Sequence, residues 1–329
     1  MSLVTVFGGS GFIGRHLVQR LTASGASVRV AVRDPINASF LKPMGDVGQV
    51  TPIYVDVHDD SSVANALAGS DAVVNLIGIL YERGTQQFDA IHRDAATRIA
   101  RAAKATGASR LVHMSALGAS ETSQSRYAWS KAAGETAVRD VYPDAVILRP
   151  SVVFGPHDNF FNLFASLARL SPVLPVFGCP LPSFKDGGVD IYGDGGVKFQ
   201  PVYAGDVAAA LMKGVTDPST NGQTYELGGP TVYSFLSLME LILTTTDRQC
   251  LLAPTPYFVA SLQAFFLQFL PRPPLTPDQV TLLRSDNVVS GAMPTLLDLG
   301  IEANSAEVIL PTYLDKYRRG GRFHKTTAI

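Results

Sequence analysis

Cysteine is scarce in this sequence, whose 329 residues include only Cys179 and Cys250. The two lie far apart in the chain, and neither has histidines at the spacing of a metal-ligand set. The sequence therefore offers neither a metal site nor a disulfide framework. We expect a protein that works without a bound metal, in a compartment that keeps thiols reduced.

Charge is also scarce and evenly balanced. Charged residues make up 17% of the chain, and 27 Lys and Arg offset 28 Asp and Glu. A chain without a basic excess is not expected to bind nucleic acid. Its mean hydropathy of +0.17 is high for an ordinary soluble enzyme, which indicates a surface that is partly covered by something else.

Long apolar runs are missing as well. No stretch reaches the roughly 18–20 apolar residues that a membrane-spanning helix needs. The first residues enter a strand pattern directly, without a basic segment followed by an apolar one, so the sequence predicts a chain that is not exported.

Strand and helix patterns alternate along the first half of the chain. The predicted strands are 4–7, 28–32, 51–57, 72–77, 110–115 and 145–149, and the predicted helices are 15–23, 62–69, 90–106 and 131–140. This alternation predicts an α/β fold, with a Rossmann-type doubly wound parallel sheet and a smaller, mixed C-terminal lobe. We expect a dinucleotide-binding domain over 1–170, which returns to the sheet near 199–230, and an interleaved lobe over 171–329.

The first strand runs directly into a glycine-rich turn. Gly8, Gly11 and Gly14 stand three residues apart between this strand and a helix pattern. In a dinucleotide-binding turn, such glycines permit the tight turn, the approach of a pyrophosphate and the packing of the helix on the strand. The predicted binding residues here are Gly8, Gly11, Phe12, Ile13, Gly14 and Arg15.

The end of the second strand bears on the choice of nucleotide. An NAD site usually places a carboxylate there, about 20 residues after the glycines, to bind the adenosine ribose. Arg33 occupies this place, and its guanidinium could pair with a 2′-phosphate, with help from Arg15. The sequence therefore favours NADP(H), as NADPH, over NAD(H). In the alternative, Asp34 binds the ribose and Arg33 is merely solvated.

A Tyr-x-x-x-Lys pair follows the fifth strand. Tyr127 and Lys131 are four residues apart, so on a helix both would face one ligand. With Ser115 polarising a carbonyl oxygen, they are acid and base groups suited to hydride transfer. The predicted catalytic residues are therefore Tyr127, Lys131 and Ser115.

With the glycine turn upstream, this pair resembles the short-chain dehydrogenase/reductase superfamily. The ends of the third and fourth strands and the segment 148–156 agree with that resemblance. It implies that further residues bind the cofactor, namely Asp56, Val57, Leu76, Ile77, Gly78, Ser115, Tyr127, Lys131, Pro150 and Val153.

A narrower resemblance covers nearly the whole chain. The segments 40–49, 74–78, 125–127, 131–135, 199–203, 206–207 and 298–301, in this order, are similar to the nucleotide-binding accessory subunits of respiratory complex I, NADH:ubiquinone oxidoreductase. These belong to an atypical branch of the superfamily. The resemblance implies a tightly held NADPH and other complex I subunits as partners, at the junction of the peripheral and membrane arms. It places the protein on the cytoplasmic face of a bacterial inner membrane or the matrix side of a mitochondrial one, without catalytic turnover.

Two departures leave the function open. Only eleven residues separate Ser115 from Tyr127, fewer than in sugar-nucleotide epimerases, so the three predicted catalytic residues could be vestigial. The intact Tyr127 and Lys131 pair keeps an alternative, a free NADP(H)-dependent reductase, epimerase or dehydratase acting on a sugar nucleotide or a small carbonyl compound. The 179–197 loop looks longer than usual in the family, as either a partner contact or a tolerated insertion.

The C-terminal lobe contains an apolar segment and a basic tail. Within 251–277, residues 257–270 carry Phe258, Leu262, Phe265, Phe266 and Phe269 at helical spacings. This stripe suits a core helix, but the family resemblance favours a contact to the membrane arm or its lipids. The basic tail, 316–325, is solvated or binds an acidic partner surface or anionic lipid; its basic residues are Lys316, Arg318, Arg319, Arg322, His324 and Lys325.

The histidines show no ligand-like spacing. We therefore expect His92, His113 and His157 to have structural or solvent-exposed roles.

Overall fold

The computed structural model describes residues 2–180, 183–185, 188–271 and 273–321. The chain forms two compact units. The first unit comprises Met1–Pro150, Ala204–Leu227 and Val289–Glu302, and the second comprises Ser151–Tyr203, Gly228–Val288 and Ala303–Ile329.

The strands are, in chain order, β1 (Leu3–Phe7), β2 (Ser27–Val32), β3 (Val50–Tyr54), β4 (Ala72–Asn75), β5 (Arg110–Met114), β6 (Val146–Pro150), β7 (Val153–Phe154), β8 (Val173–Phe177), β9 (Ser183–Lys185), β10 (Gly188–Asp190), β11 (Lys198–Phe199), β12 (Val202–Tyr203), β13 (Thr224–Leu227), β14 (Tyr233–Ser234) and β15 (Leu251–Thr255).

The α-helices are α1 (Phe12–Ala23), α2 (Asp60–Leu67), α3 (Ala96–Ala105), α4 (Arg126–Val141), α5 (Phe161–Leu170), α6 (Ala204–Thr216), α7 (Phe235–Thr246), α8 (Tyr257–Leu267), α9 (Pro277–Leu282), α10 (Ala306–Ile309) and α11 (Pro311–Leu314). A π-helical segment, Asp89–Ala95, leads into α3. Short 3₁₀ turns lie at Ser39–Met44, Pro218–Thr220, Leu297–Leu299 and Asp315–Tyr317.

The first unit is built on a seven-stranded sheet in the order β13-β6-β5-β4-β1-β2-β3. Each pair of neighbouring strands is parallel. The strand order reverses between β1 and β4, so the carboxyl ends of these two strands open a crevice of the kind in which doubly wound sheets bind ligands. The predicted fold class is confirmed.

Helices cover both faces of this sheet. On one face, α1 packs against α6, and an added Cβ at Gly214 in α6 would meet Val112 of β5. On the other face, α2, α3 and α4 lie side by side over a core that includes Leu111, the neighbour of Val112. Successive β5 residues thus face opposite helical layers, as the period of two in a strand requires.

The predicted division of the chain at residue 170 differs from the observed one. The first unit ends at Pro150, because α5 packs on α7 and β8 of the second unit. The predicted helix over 90–106 is also different in kind, since its first part is π-helical. The other predicted strands and helices of the first unit agree with the structure apart from their ends.

The second unit has an aromatic core. The Phe235 ring lies 5.2–6.0 Å, centre to centre, from the rings of Phe160, Phe164, Phe177 and Phe199. The parallel pair β8 and β15 and the helices α5 and α7 surround it. This lobe therefore has a hydrophobic core of its own.

Helix α8 in this unit is packed in an unusual way. Its buried residues are small, Ala260 and Ala264, whereas four of its large side chains, Phe258, Leu262, Phe265 and Phe266, are exposed. Phe258 is 72%, Phe266 65% and Phe269, just past the helix, 75% exposed. Among the described residues, no helix is long and apolar enough to cross a membrane. The aromatic stripe that could have served a core is thus on the surface.

Two predicted segments lie partly outside the described residues. In the 179–197 loop, β9 and β10 form an antiparallel hairpin, and residues 181–182 and 186–187 are not described. In the basic tail, Arg322, His324 and Lys325 lie outside the described part of the chain. Arg318 donates to the Thr245 carbonyl at 3.3 Å.

The approach of α4 to the π-helical segment is very close. A Cβ at Gly134, in the middle of α4, would lie 2.2 Å from the main-chain oxygen of His92. The shifted hydrogen bonding of a π-helical segment moves its side chains and carbonyls off the usual helical positions. Glycine at residue 134 lets the two backbones meet there.

This contact predicts that alanine at residue 134 destabilises the fold, although alanine stabilises most helices relative to glycine. In an exposed helix interior, changing glycine to alanine gains about 1 kcal/mol. For Gly134→Ala we expect a loss of about 2 kcal/mol in the free energy of unfolding, because overpacking outweighs that gain. Urea denaturation measures it. The matched control, Asp140→Ala at the exposed end of α4, should be neutral or stabilising, and the same response in both variants would contradict the close contact.

Candidate functional site

The glycine turn lies at the crevice and depends on its glycines. Gly8 has a φ of +76°, and a Cβ there would lie 3.3 Å from the carbonyl carbon of Leu76. A Cβ at Gly14 would lie 2.5 Å from the Gly8 oxygen and 2.6 Å from the Gly9 Cα. Helix α1 can therefore rest directly on the turn. Its N-cap residue, Gly11, provides no side-chain cap, so the first N–H groups remain for an anion.

Arg15 is held against this turn. Its Nη2 donates to the Ser10 oxygen at 3.2 Å, and its guanidinium lies 4.8 Å from the centre of the Phe40 ring. Burial lowers its pKa from the ordinary value without removing its charge. A fixed positive charge thus stands beside the helix N-terminus, where Phe12 and Ile13 begin α1.

The two candidates for ribose recognition differ in their surroundings. The Asp34 carboxylate accepts hydrogen bonds from the main-chain N–H and the side-chain amide of Asn37, at 3.0 and 2.5 Å. Arg33 is exposed, and in the part of the chain that the structure describes it forms no hydrogen bond or ion pair. Arg33 is thus the better placed of the two for a charged ligand.

The ends of β3 and β4 lie along the same edge of the sheet. Asp56 accepts from the His58 N–H at 2.9 Å, and the Val57 oxygen accepts from Arg98 at 2.8 Å. Past β4, Leu76 donates to the Phe7 oxygen at 3.0 Å and Ile77 donates to the Asn75 side chain at 3.1 Å. These bonds hold both strand ends in ordered turns.

Tyr127 and Lys131 lie in the first two turns of α4, as predicted. Lys131 is buried, and its Nζ donates to the Met114 oxygen at 3.2 Å. Burial lowers the pKa of Lys131 to about 8, although the Glu135 charge acts in the opposite direction. Burial also raises the pKa of Tyr127 to about 12. The phenol is therefore a weaker acid than a free tyrosine, which opposes its predicted role as a proton donor.

Two buried polar atoms at the end of β5 have no partner among the described residues. They are the Ser115 Oγ and the His113 Nε2, and both side chains are at least 97% buried. The other ring nitrogen of His113, Nδ1, lies 3.2 Å from the Asn75 side-chain nitrogen. Unsatisfied buried polar groups are costly, so these two favour a ligand or a water that satisfies them.

His92 links several parts of this region. Its Nε2 accepts from the Ile79 N–H at 3.1 Å, and its Nδ1 donates to the Ser130 Oγ at 2.8 Å. The Ser130 hydroxyl in turn donates to the main-chain oxygen of Tyr127 at 2.9 Å. Burial, together with the Lys131 charge, lowers the pKa of His92 to about 2, so the ring is neutral.

The structure thus brings together most predicted site residues and adds some that sequence reasoning missed. His92, His113, Asn75 and Ser130 share the region of Lys131, but nothing in their spacing marks them. Pro150 ends β6, and its oxygen accepts from Leu117 at 2.9 Å. Val153 belongs to β7 in the second unit, and its contact with the cofactor stays a prediction.

A parallel sheet with a glycine turn at its reversal point and a Tyr-x-x-x-Lys helix beside it defines a class of nucleotide-binding protein. The chain belongs to the NAD dependent epimerase/dehydratase family, whose model matches residues 4–228. It is also similar over nearly its whole length to mitochondrial proteins named NADH dehydrogenase (ubiquinone) 1 alpha subcomplex subunit 9, and the narrower resemblance drawn from the sequence is thereby confirmed.

The Arabidopsis thaliana protein of this name is 34% identical over 97% of this chain and 79% of its own length. The Mus musculus protein is 35% identical over 96% of this chain and 80% of its own. Among solved structures, NADPH-dependent quinone oxidoreductase QOR2 from Escherichia coli, complexed with NADPH, is similar with a TM-score of 0.71 and 19% identity, over 94% of this chain and 99% of that one. This last likeness supports the fold alone.

The two neutral histidines predict a specific loss of stability in acid. Burial and the Lys131 charge hold their pKa values at about 2 (His92) and about 3 (His113), below the ordinary value of 6.5. Below pH 6.5 the unfolded chain binds these protons and the folded chain does not, so stability falls as the pH falls.

We test this with His92→Gln, a neutral replacement. Between pH 7 and pH 5 the wild type should lose about 2 kcal/mol more stability than the variant, by urea denaturation at each pH. Any folded-state pKa below about 4 gives the same difference, since both pH values lie above it. An identical loss in the two proteins would show that the folded chain also protonates His92 between pH 7 and pH 5.

Proposed function

We propose that this protein is an accessory subunit of the proton-pumping NADH:quinone oxidoreductase, complex I, and that it binds NADPH as a structural group. The observation that carries the proposal is the 34–35% identity over at least 96% of the chain to relatives that bear the name of a complex I subunit. Both units of the fold fall within a match of that extent, so the role is proposed for the whole chain.

The residues of the first unit fit a dinucleotide phosphate. The close packing at Gly8 and Gly14 leaves the N-terminus of α1 open, and the Arg15 charge stands beside it. Arg33 would hold the 2′-phosphate, which supports NADPH over NAD(H). At the other end, the Ser115 Oγ and the His113 Nε2, which have no partner among the described residues, could bind polar atoms of the ligand. Bound NADPH would supply a hydride donor.

The electrostatics of the site favour a structural nucleotide. Lys131 donates to a main-chain oxygen, and burial raises the pKa of Tyr127 to about 12, so at neutral pH the phenol remains protonated and a poor acid. A ligand that binds only the folded chain adds RT ln(1 + [L]/Kd) to its stability. Retention of the nucleotide would thus stabilise the subunit without any turnover.

The second unit supplies the proposed contact to the complex. Helix α8 contains no charged residue, and its exposed face carries four large apolar side chains, Phe258, Leu262, Phe265 and Phe266. Such a face is costly to leave in water and typical of an interaction site. We place it against the membrane arm or its lipids, at the junction of the two arms. The protein would then be peripheral, on the matrix side of the mitochondrial inner membrane or the cytoplasmic face of the bacterial one.

A second candidate function is a free NADP(H)-dependent reductase, epimerase or dehydratase for a sugar nucleotide or a small carbonyl compound. The placement of Tyr127 and Lys131 together in the first turns of α4, with Lys131 bonded to the main-chain oxygen of Met114 next to Ser115, favours it. Mild detergent extraction and a native gel separate the two candidates. We expect the native protein to migrate with a large membrane complex that oxidises NADH, whereas migration as a soluble monomer or dimer would favour the free enzyme.

The cofactor preference depends on Arg33. We expect the wild type to bind NADPH at least tenfold more tightly than NADH in calorimetric titrations at fixed ionic strength, because a guanidinium pairs with the 2′-phosphate. Arg33→Asp should reverse this order. Arg29→Gln, at an arginine within β2 whose guanidinium bonds the Ala66 oxygen, should keep it. Equal wild-type affinity for both nucleotides would contradict the role of Arg33.

The proposed docking face depends on its exposed rings. We expect Phe266→Glu combined with Phe269→Glu to release the subunit from the complex, since charge is costly in an apolar contact, and to leave a folded protein that binds NADPH. Native gels and calorimetry measure the two effects. The control, Leu170→Glu with Val308→Glu, changes two equally exposed apolar residues of the same unit outside α8 and should stay assembled. Retention of the α8 variant would remove this face from the interface.

A further inference from the structure

The buried imidazole of His92 joins two chain segments that come from different parts of the first unit. One is the turn after β4, through the bond from the Ile79 N–H to Nε2. The other is the first turn of α4, through Nδ1, Ser130 and the Tyr127 oxygen. The ring is 98% buried, and it lies 5.4 Å from the Phe88 ring and 5.5 Å from the Tyr127 ring, centre to centre.

Both nitrogens of the ring therefore form a hydrogen bond, and the two bonds require the same tautomer. Nε2 accepts, so the proton is on Nδ1, and that proton bonds Ser130. A leucine of similar volume would fill the space but leave the Ile79 N–H and the Ser130 hydroxyl without this partner. The position requires these two hydrogen bonds as well as bulk.

The main chain that His92 holds lies against Lys131. A Cβ at Gly78 would lie 3.1 Å from the Lys131 Nζ and 3.7 Å from the His92 Nε2. Residues 78 and 79 follow β4, which is next to β1 on the side away from β2. His92 thus holds the wall of the crevice formed by residues 78 and 79. This wall and Arg33 lie on opposite sides of the glycine turn.

A dinucleotide that lies across the reversal point places its two halves on opposite sides of that turn. If the 2′-phosphate of the adenosine half is at Arg33, past β2, the nicotinamide half extends over the ends of β4 and β5. The segments that His92 joins therefore lie beside the nicotinamide half of the ligand and not beside the adenosine half.

We propose that His92 is a positioning residue that fixes the Gly78–Ile79 main chain against the Tyr127 turn of α4, and so forms the binding wall for the nicotinamide half of the nucleotide. This inference rests on the proposed NADPH function. It predicts that a change at residue 92 affects the two halves of the ligand unequally.

Two probes separate the halves. NADPH contains both, whereas adenosine 2′-phosphate 5′-diphosphate keeps the 2′-phosphate, adenosine and pyrophosphate but lacks the nicotinamide and its ribose. With the full-length chain in calorimetric titrations, we expect His92→Leu to weaken NADPH about tenfold, as the loss of one or two buried hydrogen bonds would. Binding of adenosine 2′-phosphate 5′-diphosphate should change by less than about twofold.

Two further variants extend the test. Ser130→Ala removes only the hydroxyl that Nδ1 bonds and should weaken NADPH in the same direction by less, so it carries the test if His92→Leu does not fold. His92→Gln keeps an acceptor for the Ile79 N–H and should restore most of the NADPH affinity. The control is Thr5→Val, which removes a buried hydroxyl that bonds Ser70 at 2.6 Å in the same unit. It should lower the melting temperature and leave the ratio of the two affinities unchanged.

The outcomes are distinct. Equal weakening of both probes in the His92 and Ser130 variants would show a merely structural role and overturn the inference, as would no weakening of either. A wild-type chain that binds both probes but whose ratio does not respond to residue 92 overturns the inference alone. A wild-type chain that binds neither probe overturns the proposed NADPH function as well.

Discussion

The geometry of the site depends on the contact between α4 and the π-helical segment 89–95. Because Gly134 has no side chain, the α4 backbone meets the His92 oxygen at a distance that a Cβ could not tolerate. This contact places Tyr127 and Lys131 next to the turn after β4 and buries both histidines between the sheet and the helices. The perturbed pKa values of Lys131, His92 and His113 follow from the same burial.

Burial of these groups also explains how a site with the residues of an oxidoreductase could hold a nucleotide without reacting. A lysine that donates to a main-chain oxygen and a tyrosine whose pKa is raised to about 12 are poorly matched to proton transfer at neutral pH. The buried Glu135 carboxylate accepts two hydrogen bonds from Arg149, at 2.6 and 2.9 Å, so this carboxylate is already engaged. The same arrangement fits the proposed binding of a nucleotide as a structural group.

Periodicity in the sequence predicted the sheet, the glycine turn and the placement of Tyr127 and Lys131 on one helix, because each has a local signal. The π-helical segment had no such signal, because the apolar pattern over 90–106 is the same for a π-helical start as for a continuous α-helix. His92 and His113 were likewise missed as site residues, because their partners are distant in sequence, such as Ser130 and Asn75. For α8, the spacing of the aromatic residues is the same for a core and a surface helix, and only the burial of Ala260 and Ala264 decides between them.

The exposed rings of α8 also give a physical reason for the composition of the chain. Apolar residues on the surface lower the fraction of charged residues and raise the mean hydropathy.

The central claim is that the nucleotide is a retained, structural component of a complex I subunit. The most direct test is to purify the membrane complex that contains this chain, denature it before and after sustained NADH:quinone turnover, and quantify the released NADP(H). We expect one NADPH per copy of this chain, unchanged in amount and redox state by turnover. A complex without NADPH, or one whose NADPH is oxidised in step with turnover, would contradict the account.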